Sequence, residues 1–297
     1  MSRDPLVPES LQWLESEPGG SEWLERLPAL IADSTRTWGL ALGEPFPANV
    51  SFVAPATTSS GAEVVLKVNY PHPESEHEAA AMRHWNGRGA AKLLDEDAGL
   101  RALLLERCRP GGRLWDEPES EATETMIEVF RMLCERPAPK GEFQSLAQAA
   151  GTWAVHLAGA FERAGGPFEP ELLAEALAFL ATVRAPDPTD VVLHQDLHGG
   201  NVLKRGAGWV AIDPKPLAGE REFDVASYVR DRRADLETSR AAQSIVRTRI
   251  DRLSEGLGLD RERVRGWALA HALAWGFDAD GTFYPGHVTA ARLVKRC

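Results

Sequence analysis

The hydrophobic pattern of this chain divides at the run RCRPGGR at 107–113, rich in Gly, Pro and Arg. Before it the pattern is mostly that of strands; after it apolar residues recur every three to four positions. A period of two belongs to strands and one of 3.6 to helices. One helix opens the chain: Trp23, Leu24, Leu27, Leu30 and Ile31 fall at helical spacing behind the GGS break. NVSFVAP and GAEVVLKVNY, β-branched and bounded by turn residues, then predict two strands joined through ATTSSG as a hairpin. ESEHEAAAMRHW predicts a helix burying Ala79, Met82 and Trp85, and AAKLLDEDAGLRALLLE predicts two strands turning at Asp97–Gly99. Beyond the run the stripes are helical. One holds Met126, Val129, Phe130 and Leu133; another holds Leu146, Ala149, Ala150, Trp153, Leu157 and Phe161. Leu172, Leu173, Leu177 and Leu180 make a third, and Val264, Trp267, Ala268 and His271 continue the habit. Only VVLH, NVLK and GWVAID interrupt them. The expected class is α+β in two lobes: a β-rich N-terminal lobe over 1–106, a hinge at 107–113 and a helical lobe over 114–297. Clefts between two such lobes are common ligand sites.

Composition narrows the function. No apolar run approaches the roughly 18 residues that cross a bilayer, and the N-terminus lacks the cationic and apolar regions of a secretory signal. A cytoplasmic protein with no membrane partner is expected. Cys108, Cys134 and Cys297 are scattered, with no CxxC pair, which argues against a disulfide framework or zinc site and fits a reducing compartment. Lys and Arg number 33 against 44 Asp and Glu, a formal charge of −11. Such a balance repels nucleic acid and favours cationic partners.

The chemistry gathers in VVLHQDLHGGNVL at 191–203. A short buried strand runs into a loop holding Asp196 and, five residues on, Asn201. NVLK and GWVAID, joined by RGAG, predict a hairpin that carries Asp213 back beside Asn201. A carboxylate with an amide oxygen suits a hard cation such as Mg²⁺. A second carboxylate off the metal can orient a hydroxyl and accept its proton, which is the arrangement of phosphoryl transfer. The spacing H-x-D-x-x-x-x-N matches the kinase catalytic loop. Singly, such residues cap turns and end strands; three at this spacing are harder to explain that way. A kinase also needs a lysine on a strand of the small lobe, and EVVLKV supplies Lys67, facing away from Leu66 and Val68. An exposed strand face would equally explain Lys67 taken alone. Its partner is expected to be Glu78, with Glu74 and Glu76 as alternatives. Main-chain groups at Glu106 and Cys108, where the strand ALLLE meets the hinge, are the candidates for holding a purine edge.

These residues carry a resemblance. LHQDLHGGNVL, AIDPKPLAGEREFDVA, VVLKV and HEAAAMRHW look like the aminoglycoside phosphotransferase family, in its streptomycin 6-phosphotransferase and hydroxyurea phosphotransferase branch. The similarity spans about residues 45–235. It implies a protein-kinase-like fold and transfer of a γ-phosphate from ATP or GTP to a small-molecule hydroxyl. Carried over, Asp196 is the catalytic base, Asn201 and Asp213 are the Mg²⁺ ligands, Lys67 anchors the phosphates and Glu78 holds Lys67. His194 and His198 are expected to make structural hydrogen bonds, and Asp224 to brace the catalytic loop.

The chain also departs from the protein-kinase pattern. No G-x-G-x-x-G precedes Lys67, so phosphate cover falls to the backbone around Thr57–Gly61. DPK stands where D-F-G would, and Gln195 replaces the arginine of H-R-D, which argues against a regulated protein kinase. A G-x-x-x-x-G-K-[ST] run is absent, which excludes a P-loop enzyme. DADG at 278–281 lacks the glutamate that ends a calcium loop and reads as a turn. His271, on an apolar helical face, reads as packed rather than ligating, and Trp275, Phe277 and Tyr284 are candidates for an acceptor pocket. Residues 213–235 hold six acids (Asp213, Glu220, Glu222, Asp224, Asp231, Asp235) against five bases (Lys215, Arg221, Arg230, Arg232, Arg233), so local charge does not define a cationic site. The acceptor the resemblance implies is a cationic aminoglycoside such as streptomycin, with resistance as the outcome; hydroxyurea or another metabolite is the alternative. A non-catalytic nucleotide-binding pseudokinase is the rival of another class, and a monomer or weak dimer is the expected state.

Overall fold

The computed structural model of the chain describes residues 7–278 and 281–297, so part of DADG, residues 279 and 280, lies outside the described residues. The chain forms two compact units. One runs to Gly111 and takes in Lys204–Val210; the other holds Gly112–Leu203 and Ala211–Cys297.

In the first unit, α1 (Gly20–Trp38) buries the expected stripe of Trp23, Leu24, Leu27, Leu30 and Ile31. It is followed by β1 (Leu40–Leu42), β2 (Ser51–Thr58), β3 (Glu63–Asn69), α2 (Glu78–Trp85), β4 (Leu93–Asp97) and β5 (Ala102–Glu106). The strands form an antiparallel sheet in the order β1-β2-β3-β5-β4. Leu27 and Ile31 of α1 join Phe52, Ala54, Leu66, Val68 and Ala102 in one core cluster. Each of the larger side chains among them, fully buried, contributes roughly 1.5–3 kcal/mol. Alternation along β3 sends Leu66 and Val68 into this cluster and Lys67 to the opposite face. Two details differ from expectation. Strand β2 runs on through Thr58, because β1 pairs with it there, Leu40 opposite Thr58. Helix α2 begins at Glu78, so the buried stripe is Glu78, Ala81, Met82 and Trp85, and Ala79 is only partly buried.

The chain continues with β6 (Pro110–Arg113), inside the Gly- and Pro-rich run, then α3 (Glu119–Leu133), α4 (Leu146–Arg163), α5 (Pro170–Leu180) and β7 (Val191–Leu193). After these come β8 (Val202–Arg205), β9 (Gly208–Ala211), β10 (Leu217–Gly219), α6 (Ala226–Val229), α7 (Arg233–Thr238), α8 (Ala242–Leu257), α9 (Arg261–Ala274) and α10 (Pro285–Lys295). Strands β6, β8 and β9 form a three-stranded sheet in that order, and β7 pairs antiparallel with β10. Met126, Val129, Phe130 and Leu133 are all buried on α3. On α4 the larger Trp153 and Phe161 are only partly buried. Helix α9 is buried without a break from Gly266 to Leu273, as a central core helix must be. Among the described residues no helix is long and apolar enough to cross a membrane. All three cysteines are free thiols.

Candidate active site

In the first unit, Lys67 Nζ lies 2.6 Å from Glu78 Oε1, both side chains buried. The second oxygen of Glu78 accepts from Asn69 Nδ2 at 2.8 Å, and Asn69 Oδ1 accepts from Ser51 Oγ at 2.8 Å. Buried charges persist only when paired and fully hydrogen-bonded, and this chain of four side chains meets that condition. Of the alternatives, Glu76 is exposed and Glu74 sits in the turn that His72 caps. Ser51 and Asn69 face each other across β2 and β3, a pairing with no sequence signal of its own. The Glu106 carboxylate accepts from Lys92 N and Arg205 Nη1, each at 2.7 Å, so this side chain is committed within the unit. Burial pushes the neighbouring Cys108 thiol up to about 11, which keeps it neutral. The loop around Thr57–Gly61 is closed on itself: Ala62 N donates to Thr58 Oγ1 at 3.1 Å and Gly61 N to Thr58 O at 2.9 Å.

In the second unit, β7 delivers His194 into a loop stitched to the residues after β9. His194 Nε2 lies 2.9 Å from Ile212 O, Lys215 N donates to His194 O at 3.0 Å, and Ile212 N donates to Asn201 O at 2.9 Å. This places Asn201 beside Ile212 and its neighbour Asp213, as the expected hairpin requires. Buried Asp224 accepts from the main-chain N–H groups of His194 at 2.8 Å and Gln195 at 2.6 Å. Burial pushes its carboxyl up to about 7, against those two bonds. Gln195 and Asp213 have φ of 67° and 60°, a left-handed conformation that costs such residues roughly 1–3 kcal/mol and concentrates at functional sites.

Asp196 sits at the centre. Asn201 Nδ2 donates to its main-chain oxygen at 3.0 Å and reaches Oδ2 at 3.4 Å. Lys215 Nζ lies 3.3 Å from Oδ2, and His198 Nε2 lies 3.8 Å from Oδ1. Burial pushes the Asp196 carboxyl up. The positive charge of Lys215, with Arg230 farther off, outweighs that and holds it well below the usual range, so it is ionised at neutral pH. With the Asn201 amide nitrogen donating to Asp196, its side-chain oxygen is the candidate group for a cation, and Asp213 follows directly on Ile212, whose N–H donates to Asn201 O. Among the described residues no group of three or more His, Cys, Asp and Glu could hold a metal ion. One carboxylate and one amide oxygen fit Mg²⁺, which usually completes its octahedron with water and substrate phosphate oxygens.

Beside Asp196 opens a cavity of about 940 Å³. Trp275, Phe277 and Tyr284, the aromatic residues expected at an acceptor pocket, all line it. Its charged lining is mixed: Asp231, Asp235, Glu237 and Asp278 accompany Asp196, and Lys215, Arg230, Arg232 and Arg233 oppose them. His271 is packed as expected, stacked on Trp275 with centroids 3.9 Å apart and accepting from Arg230 Nε at 2.8 Å. Two lining residues escaped sequence reasoning. Trp115 stacks on His198, and Asp231 accepts from Trp115 Nε1 at 2.8 Å and Gly199 N at 2.7 Å. Contacts over 32 to 116 residues leave no local signal; the paired glycines of HGGN were the one hint of a close neighbour.

Comparison with known proteins follows the same lines. Residues 38–280 match the family model described as aminoglycoside/hydroxyurea antibiotic resistance kinase. Streptomycin 6-kinase from Streptomyces glaucescens is 33% identical over 283 residues, covering 93% of this chain and 92% of that protein. Hydroxyurea phosphotransferase from Kitasatospora aureofaciens is 35% identical over 275 residues, covering 90% and 78%. A thermostable mutant of aminoglycoside phosphotransferase APH(4)-Ia, solved with AMP-PNP and hygromycin B, aligns with a TM-score of 0.62 at 14% identity, covering 89% of this chain and 97% of that one. That likeness establishes the α+β, protein-kinase-like fold.

Proposed function

The chain belongs to the aminoglycoside/hydroxyurea antibiotic resistance kinase family, and from that premise we propose that it transfers the γ-phosphoryl group of ATP or GTP to a hydroxyl of streptomycin or a related aminoglycoside. The observation that carries this reading is an ionised Asp196 on the wall of a cavity large enough for an oligosaccharide-like acceptor. Asp196 accepts the proton of the acceptor hydroxyl as the new P–O bond forms and the bond to the leaving nucleoside diphosphate breaks. Lys67, held by Glu78, neutralises the α- and β-phosphates. Asn201 and Asp213 would hold Mg²⁺, which supplies charge neutralisation at the phosphate oxygens. Main-chain groups at Glu106 and Cys108 meet the purine, and Asp224 fixes the loop that carries the base. These residues are all present, which disfavours a pseudokinase.

Hydroxyurea is the second reading, favoured by the relative from Kitasatospora aureofaciens. Size weighs against it. Ligand pockets of roughly 300–1,000 Å³ enclose drug-sized molecules, and a handful of heavy atoms would leave most of this cavity empty. The test is transfer of label from γ-labelled ATP to streptomycin, other aminoglycosides, hydroxyurea and a generic protein. Label in the aminoglycosides is expected; label in hydroxyurea alone would favour the second reading, and label in none would overturn both.

A further inference from the structure

We propose that Trp115 is the platform on which a sugar or cyclitol ring of the acceptor rests and, through Asp231, the positioning residue that ties this platform to the catalytic loop. This role rests on the phosphotransferase function proposed above. Trp115 lies in a short 3-10 turn, Leu114–Asp116, whose first residue is fully buried. Its indole stacks on the His198 imidazole, centroids 5.2 Å apart and planes 20° from parallel. Its Nε1 donates to both oxygens of Asp231 at 2.8 Å. Asp231, only 6% exposed, also accepts from Gly199 N and Arg232 N, each at 2.7 Å. The Arg232 guanidinium closes the ring by donating to Leu114 O at 3.2 Å and Glu117 O at 2.9 Å, on either side of the tryptophan. The indole therefore cannot move without disturbing the main chain two residues before Asn201.

The glycines of HGGN are shaped to this ring. A Cβ on Gly199 would stand 2.5 Å from Trp115 Cδ1, and one on Gly200 would stand 3.0 Å from Cη2. A tryptophan that served packing alone would be buried. This one is 41% exposed on the wall that also carries Asp196, and Tyr284, 48% exposed, lines the same cavity. The N–H is used on a buried carboxylate, so what Trp115 offers the cavity is apolar ring surface. That surface suits the C–H face of a polyhydroxylated ring, whose hydroxyls are left to the charged groups around it.

The experiment compares wild type, Trp115→Phe and Trp115→Ala in steady-state transfer to streptomycin, with nucleotide affinity by calorimetry and thermal midpoints alongside. Trp115→Ala should raise the acceptor KM by about tenfold and lower kcat, with nucleotide affinity nearly unchanged. Trp115→Phe keeps a ring but loses the bond to Asp231, so it should restore KM and leave kcat several-fold low. Unchanged KM and kcat in Trp115→Ala would overturn the proposal. So would a parallel fall in nucleotide affinity and thermal midpoint that Trp115→Phe does not relieve, since that marks a structural role. A wild type that phosphorylates no ring-bearing acceptor would sink both the platform and the function it rests on, a result distinct from an active wild type with an indifferent Trp115→Ala.

Discussion

Asn201 is bonded to Asp196: its amide nitrogen lies 3.0 Å from the aspartate's main-chain oxygen, across a single 3-10 turn, Gly199–Asn201. The five-residue spacing thus serves two ends. It fixes the backbone that presents the Asp196 carboxylate, and it commits the asparagine's Nδ2, which leaves its oxygen as the atom proposed for Mg²⁺. Removing the Asn201 side chain should weaken both. Asn201→Ala should raise the Mg²⁺ concentration needed for half-maximal rate by about 10- to 100-fold, the usual penalty for disturbing a metal site. A magnesium titration of the transfer rate reads this, and an unshifted curve would contradict the ligand assignment.

The Lys67–Glu78 pair predicts a different response. Glu78→Ala leaves a buried ammonium without its carboxylate, and breaking such a pair costs about 3–5 kcal/mol. Urea denaturation should show a lower midpoint at an unchanged slope. Replacing both residues by apolar ones should recover much of that stability but not the nucleotide affinity. A stable Glu78→Ala protein would mean that the pair is not buried as described.

Gly199→Ala should be inactive while folded. The added methyl would stand 2.5 Å from Trp115 Cδ1 and 3.1 Å from Asp231 Oδ2, and overpacking of this kind costs about 1–3 kcal/mol. The strain falls on the loop between Asp196 and Asn201, so kcat should fall far more than nucleotide affinity. Wild-type kcat would show that the loop has slack.

Buried histidines make stability depend on acid. Burial pushes His194 down to about 4 and His287 down to about 3, from an ordinary 6.5. Below pH 6.5 the unfolded chain binds protons that the folded chain refuses, so their contribution is full above that pH and fades as the pH falls through the folded values. Asp224, raised to about 7, acts in the opposite sense and favours the fold as the pH falls towards 4. Comparing His287→Asn with wild type isolates one contribution: thermal midpoints measured from pH 7 to pH 4 should fall less steeply in the variant. Parallel slopes would show that His287 titrates normally.

Much of this could be seen in the sequence because the deciding signals were local. Alternation in EVVLKV turned Lys67 away from Leu66 and Val68, and the RGAG turn returned Asp213 to Asn201. Strands β1 and β10 were missed because three residues cannot establish a period, and both owe their form to partners, Thr58 to Ala56 for β1 and Val191 to Leu193 for β10. On α2, Met82 and Trp85 are buried as expected; only Ala79 is not, because Glu78 and Ala81 share the buried face with them. Asp231 and Arg232 stood out in the sequence only as part of the mixed charge of residues 213–235. Their tasks, holding Trp115 and its turn, exist only once segments 116 or more residues apart have met.

The most direct test of the central claim is phosphoryl transfer by Asp196→Asn under saturating nucleotide and Mg²⁺. Loss of a positioned base typically costs about 10²- to 10⁴-fold in rate. Label from γ-labelled ATP should enter streptomycin with the wild type and fall by that factor in the variant, while calorimetry shows the nucleotide still bound. Transfer at the wild-type rate from Asp196→Asn would contradict the account at its base.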